Sequence, residues 1–148
     1  RWDMSDDRLN DGDDLLDTIG DKGVLAVLYD KDEPIASAAV ASWKGDMESG
    51  SVGRNETGWE VKLVTVKIGY MKQGLAGRCI NALEEHLLTQ QKETLGDGPL
   101  RLWIQTVDDV NGDYWRRRGW KNVRSFEKPV GYWGSYHGFH LMILLKEL

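Results

Sequence analysis

Between Trp59 and Ile80 an apolar run breaks into a short glycine-bearing loop, and the loop opens directly onto an amphipathic stretch. The run Trp59-Glu60-Val61-Lys62-Leu63-Val64-Thr65-Val66 is rich in β-branched residues and reads as a strand. After Gly74, residues Leu75, Cys79, Leu83 and Leu87 recur every fourth position with Ile80 beside them, which predicts a helix over 74–91 with one apolar stripe. Glu84, Glu85 and Lys92 fall off that stripe. A further strand is predicted at Leu100–Thr106, so strand, helix and strand form one right-handed crossover. The two strands are therefore parallel or splayed apart. The same layout aims a row of backbone N–H groups, and the positive end of a helix dipole, at one point in space. Such a point attracts phosphate.

The rest of the chain builds a sheet around that crossover. Ser5 can cap a helix running to about Ile19, with Leu9, Leu15, Leu16 and Ile19 on its apolar side, Gly12 interrupting it and Gly20 ending it. Val24–Tyr29 and Ile35–Trp43 read as an antiparallel hairpin about a turn at Asp30-Lys31-Asp32-Glu33-Pro34. The polar, Gly/Ser-rich stretch from Lys44 to Gly58 is a loop, and Gly96–Pro99 a break. Asn111–Arg118 is a short helix stopped by Gly119, and Trp120–Phe126 and Phe139–Leu145 are two final strands. The predicted fold class is α/β: a mixed, mostly antiparallel sheet with helices on both faces and one splayed parallel strand pair.

A chain of 148 residues is expected to form a single domain, 1–148, and 41% hydrophobic with 29% charged residues is a globular composition. A net charge of −5 supplies no basic field for nucleic acid, so none is expected as a partner. Acid is concentrated early, at Asp3, Asp6, Asp7, Asp11, Asp13, Asp14, Asp17 and Asp21. It reads as a solvated helix face, or as an attraction for a cationic amine. The lone Cys79 excludes an internal disulfide and a cysteine metal cluster, and its place on the helical stripe gives it a packing role. No run approaches a membrane span and no signal peptide is read, which places the protein in the cytoplasm with no membrane partner. The chain begins at Arg1 without Met, which leaves room for native sequence before it.

Which phosphate-bearing ligand the loop takes is decided by its side chains. A Walker loop, G-x-x-x-x-G-K-[ST], fails: Gly69 and Gly74 have the spacing, but Leu75 and Ala76 stand where Lys and Ser/Thr must be. A Rossmann fingerprint fails too, because Gly74 and Gly77 give only G-x-x-G. Gln73-Gly74-Leu75-Ala76-Gly77 after Val64-Thr65-Val66 resembles instead the pyrophosphate loop of the GNAT acetyltransferase superfamily, [RQ]-x-x-G-x-[GA]. Gly74 and Ala76 match, and Met71 stands where Arg or Gln is usual. A second element, Asn111-Gly112-Asp113-Tyr114-Trp115-Arg116-Arg117-Arg118-Gly119-Trp120, is similar to the family segment N-x-x-F-Y-x-x-x-G-[FY], with Trp115 at the usual Tyr position and Trp120 at the usual Phe/Tyr position. The resemblance spans about residues 24–148, and the family's N-terminal strand and first helix read as reduced or absent.

That resemblance implies an acetyl-CoA-dependent N-acetyltransferase with the GNAT fold and no metal. It acts by direct attack of a primary amine, on a small molecule or a free amino terminus. Backbone donors from Met71, Lys72, Gln73, Gly74, Ala76 and Gly77 would hold the diphosphate, with Lys72 or Arg78 replacing the charge lost at Met71. The Val64 N–H would face the thioester carbonyl, and Val66 would pair with pantetheine. Asn111 would bond the CoA arm or cap its helix; one of Arg116, Arg117 and Arg118 would reach the 3′-phosphate. Glu60, six residues before Val66 and sharing strand parity with Val64 and Val66, is the candidate general base. Trp115 lies in the cofactor site but has no acidic proton, so Tyr114 is the candidate acid for the leaving thiolate. The aromatic, glycine-rich loop before the last strand supplies Trp133, Tyr136 and His137 to the acceptor, and His140 or His137 is the alternative base. Because of Met71 and Trp115, a CoA-binding module without turnover is the rival reading. A homodimer is left open.

Overall fold

The computed structural model describes residues 12–46, 55–94, 96 and 98–148. The predicted cap Ser5, with Leu9 and Asp3, Asp6, Asp7 and Asp11, lies outside the described residues, as does the centre of the polar connection, 47–54. The first described element is α1, Gly12–Ile19, closed by Gly20 at φ 70°. Leu15 and Ile19 are half-buried, whereas Leu16 is 62% exposed. Leu16 is thus not on the inner face, being a hundred degrees of helix away from Leu15.

Strands β1 (Val24–Asp30) and β2 (Glu33–Ser42) form the hairpin, but its turn is tighter than the sequence suggests. Asp30 pairs with Glu33 and only Lys31, at φ 57°, and Asp32 turn the chain. There follow β3 (Trp59–Val66), α2 (Leu75–Glu93) and β4 (Arg101–Val107). A π-helical turn, Asp108–Gly112, runs into α3 (Asp113–Arg116), and β5 (Lys121–Lys128) and β6 (Phe139–Glu147) close the chain. The sheet has six strands in the order β1-β2-β3-β4-β6-β5, and β3–β4 is its one parallel pair.

Two registers hold that parallel pair, Trp59 with Leu102 and Glu60 with Trp103; beyond Glu60 the strands part. The cause is on the other edge of β3. Ala39 pairs with Lys62 and Ser37 with Thr65, so β3 spends three steps where β2 spends two, and Leu63 takes φ 53°. An extra residue of this kind bends its strand and raises the local twist, which carries the end of β3 away from β4. It also resets the alternation of side chains. Glu60, Lys62 and Thr65 lie on one face; Val61 and Val66 lie on the other. The expected shared parity of Glu60 with Val66 is therefore corrected by the bulge.

Helix α2 covers the second of these faces. Leu75, Cys79, Leu83 and Leu87 are buried there against Ala36, Ala38, Val40, Val61, Leu102 and Leu144, as the four-residue stripe predicts. Each leucine so placed contributes about 1.5–3 kcal/mol of burial. Cys79 is 1% exposed and burial pushes its thiol pKa up, which fits a packing residue rather than a nucleophile. The opposite face carries a second cluster in which the rings of Trp43 and Trp103 stack at 5.1 Å, beside Val107, Phe139, Leu141 and Ile143.

The polar connection between β2 and β3 is anchored at both ends by one arginine. Arg124 of β5 donates from Nε and Nη2 to Asp46, and from Nη1 and Nη2 to Glu56. Those four hydrogen bonds fix the start of β3, and with it the point from which β3 and β4 diverge. Among the described residues no helix is long and apolar enough to cross a membrane.

Candidate functional site

The divergence of β3 from β4 leaves a cleft of about 1260 Å³ that opens through the sheet. On the α2 side its wall includes Val64, Val66, Leu75, Ala76 and Trp115. On the other side it includes Lys62, Thr65, Gln105, Val107 and Trp133. A long ligand entering from one face can thus meet a second ligand arriving from the other.

At the α2 end, the loop 67–74 curls through Gly69 at φ 95°, Lys72 at φ 62° and Gly74 at φ 73°. The first helical hydrogen bond is the one from Arg78 N–H to the Gly74 carbonyl, at 3.1 Å. The N–H groups of Leu75, Ala76 and Gly77 precede it, so the helix gives them no acceptor. A Cβ built on Gly74 would meet nothing within 4 Å, so glycine leaves room for a ligand to come up to the backbone. Lys72, Arg117 and Arg118 line the cleft and bring positive charge to this end. These are the features a diphosphate needs, and the donor set fits coenzyme A. Met71, Lys72, Gly74 and Ala76 of the expected loop residues line the cleft, whereas Gln73, Gly77 and Arg78 are not among its lining residues. Of the two cations expected to replace the charge missing at Met71, Lys72 lines the cleft and Arg78 does not.

Val64 and Val66 both line the cleft, in the part of β3 that has no register partner on β4. The bulge places Leu63 and Val64 outside the β2 register as well. Asn111 lines the cleft too, but from inside the π turn and not as a helix cap. In that turn the Asp108 carboxylate lies against Gly112, in the space that a Cβ would take. The helical segment therefore starts three residues earlier than the sequence suggests.

Tyr114 is half-buried on the cleft wall, with the Arg118 guanidinium 3.5 Å from its ring centroid and the edge of Trp115 at 5.0 Å. Trp115 is only 4% exposed and its ring meets Trp120 at 5.5 Å, so it forms part of the core as well as of the wall. Trp120, 3% exposed, is a core residue.

Glu60 is 8% exposed and is not among the lining residues. One of its carboxylate oxygens accepts from Gln105 Nε2 at 2.9 Å; the other lies 3.4 Å from Lys62 Nζ. Both partners do line the cleft. The sequence argument missed Lys62 and Gln105, although their positions were available once Glu60 was singled out: one is two residues along on β3, and the other two residues after Trp103, the register partner of Glu60. Of the aromatic loop, Trp133 reaches the cleft, packed on Tyr132 and Phe139 at 5.6 and 5.9 Å. Tyr136, 62% exposed, and His137 are not brought to it. His140 stands outside the cleft, where its backbone N–H donates to Asp109 at 3.0 Å and its ring nitrogens lie 3.4 Å from Asp109 and 3.6 Å from Glu127.

Solved acetyltransferases share this architecture. The fold is similar to that of an aminoglycoside 6′-N-acetyltransferase complexed with coenzyme A, with a TM-score of 0.60 and 12% identity over 90% of this chain and 77% of that one. A ribosomal-protein-alanine N-acetyltransferase from Brucella melitensis gives 0.57 at 13% identity, covering 86% and 70%. An acetyltransferase of the GNAT family from Streptococcus pneumoniae gives 0.57 at 12% identity, covering 90% and 72%. No family model and no curated protein matches the chain by sequence. The chain has the fold of the GNAT N-acetyltransferases, as its two motifs imply.

Proposed function

We propose that this protein is an acetyl-CoA-dependent N-acetyltransferase that acts on a primary amine by direct attack, without a covalent enzyme intermediate. The observation that supports this most is the cleft between β3 and β4, with exposed strand backbone on one wall and the amino end of α2, led by left-handed Gly74, at one end. Bound there, acetyl-CoA would supply the thioester. The amides of Leu75, Ala76 and Gly77, with Lys72, hold the diphosphate. Val66 pairs with the extended arm as one strand pairs with another, and the Val64 N–H polarises the carbonyl under attack. The cleft's second opening, beside Lys62, Gln105 and Trp133, admits the amine.

An alkylamine is mostly protonated at neutral pH, its reference pKa being near about 10, so a base is needed. Glu60 takes that role through a water between Lys62 and Gln105, which separate its carboxylate from the cleft. Trp115 has no acidic proton to give the departing thiolate, and Tyr114, beside it on the cleft wall, is the phenol assigned to that function. Burial of Trp115 against Trp120 and the engagement of both Glu60 oxygens favour the second reading, a coenzyme A-binding module with little or no turnover. Calorimetry with coenzyme A tests the shared basis of the two readings, and absence of heat rejects both. Thiol release from acetyl-CoA across a panel of amines separates them: release with any amine rejects the inert module, and binding with no release on any amine rejects the enzyme.

A further inference from the structure

The cleft has an unusual charge pattern. Lys62, Lys72, Arg117 and Arg118 line it; among the described residues no Asp or Glu does. The acidic residues of α1 and the following turn, Asp13, Asp14, Asp17 and Asp21, are also absent from its wall. Three of the four cations can be assigned to the phosphate-bearing end, where Lys72 stands near the amino end of α2 and Arg117 and Arg118 just after α3. Lys62 cannot. It lies on the opposite face of the sheet, with Thr65 and Gln105, and its side chain is 33% exposed.

An amine-accepting site built for polycations needs carboxylates on its wall, because each ammonium brought out of water must be matched by opposite charge. Among the described residues the acceptor side of the wall carries one charged side chain, Lys62. Lys62 is held in position by Glu60 at 3.4 Å, and an ammonium has three donors, of which that contact uses one. The same cleft is lined by apolar groups as well, among them Val107, Val110 and the Trp133 ring. Trp133 is set there by a backbone φ of 54° within the Tyr132–Gly134 turn and by packing on Phe139.

Resting on the acetyltransferase reading, the geometry points to an acceptor that is an apolar primary amine carrying a carboxylate, as an α-amino acid does, with Lys62 binding the carboxylate and Trp133, Val107 and Val110 receiving the apolar group. Among the described residues that wall offers polyamines and aminoglycosides no Asp or Glu of its own, and their second and third ammonium groups would face Lys62 with its Glu60 partner behind it. Lys62 is thus a specificity-determining residue, and Glu60 sets its direction as well as serving as base.

The test is thiol release from acetyl-CoA with matched acceptors: phenylalanine, phenylalanine amide, phenethylamine and spermine. Phenylalanine is expected to exceed its amide in kcat/KM by at least about tenfold, the factor a charge-assisted hydrogen bond supplies. The amide's amine is the less basic of the two, so basicity alone would favour the amide. Lys62→Met is expected to bring that ratio to about one and Lys62→Arg to retain it; the ratio cancels any general damage from loosening Glu60. Equal or better turnover of the amide, phenethylamine or spermine overturns the inference, as does a ratio unchanged in Lys62→Met. No turnover of any acceptor also overturns it. Coenzyme A calorimetry on the same samples then tells whether the broader reading fails too: heat without turnover leaves the binding module, and no heat removes both.

Discussion

Arg124 holds two carboxylates that have little water of their own, and replacing it by leucine removes the cation they share. The Asp46 side chain is fully buried and that of Glu56 is 15% exposed, while Arg124 itself is 17% exposed. Its guanidinium pKa is pushed further above the ordinary range, first by hydrogen bonding to Glu56 and against the cost of burial, so it stays charged wherever the protein is folded. Removing one side of a buried ion pair costs about 3–5 kcal/mol, because a charge is left without its partner. The partial exposure of Glu56 sets the expectation at the lower end, about 3 kcal/mol. For a domain of this size that is a fall in Tm of about 6–12 °C. Thermal melts of Arg124→Leu followed by tryptophan fluorescence measure it, with Trp43 close by as a reporter that donates toward Glu56 at 3.4 Å. Adding Asp46→Asn and Glu56→Gln removes the two negative charges that lost their cation and is expected to recover at least half of the loss. A fall below about 2 °C in the single variant, or a triple variant less stable than the single, would refute the view that this network is desolvated.

Three other variants probe the site and its surroundings. Gly74→Val forces a branched side chain into a left-handed position, at a cost of about 1–2 kcal/mol, and fills the approach to the α2 amides. It is expected to fold but to lose at least about tenfold in coenzyme A affinity by calorimetry. Glu60→Gln keeps the shape and removes the base; thiol release should fall about 10²–10⁴-fold in kcat with coenzyme A binding unchanged. The Asp109 carboxyl is held below the ordinary carboxylate range, chiefly by the His140 backbone N–H. A depressed folded value adds stability above the unfolded value of about 3.9, and the contribution is lost as pH falls through the folded value. Asp109→Asn should therefore melt below the wild type at pH 7, and the two curves should converge as acidification protonates the folded-state carboxyl. Parallel curves across that range would show that Asp109 contributes through packing alone.

The strand Trp59–Val66 and the α2 stripe were legible in the sequence because each is written in side chains, a β-branched run in one and leucines at helical spacing in the other. The splay was legible as topology, since a strand–helix–strand crossover allows parallel or diverging strands. Its cause was not. The bulge at Leu63 is a backbone event in a residue that seldom takes positive φ, and no local composition announces it. That one residue upset the parity argument for Glu60. The π turn escaped in the same way, because Asp108–Gly112 reads as loop until the Asp108 carboxylate is seen lying against Gly112. Within the site, the loop glycine was visible as a motif. Lys62 and Gln105 were not, because their importance comes from a cross-strand neighbour, and pairing between 60 and 103 is not written locally.

A sheet that parts in its middle exposes raw hydrogen-bonding edges of the kind that invite other chains to add on. Most proteins keep such edges at the periphery, blunted by charge. Here they face one another inside the molecule, roofed by α2 on one side and by Trp133 on the other. A slender extended molecule laid between them would find main-chain hydrogen-bonding groups along its length. The unfinished β-structure is thus kept where only what enters the cleft can complete it.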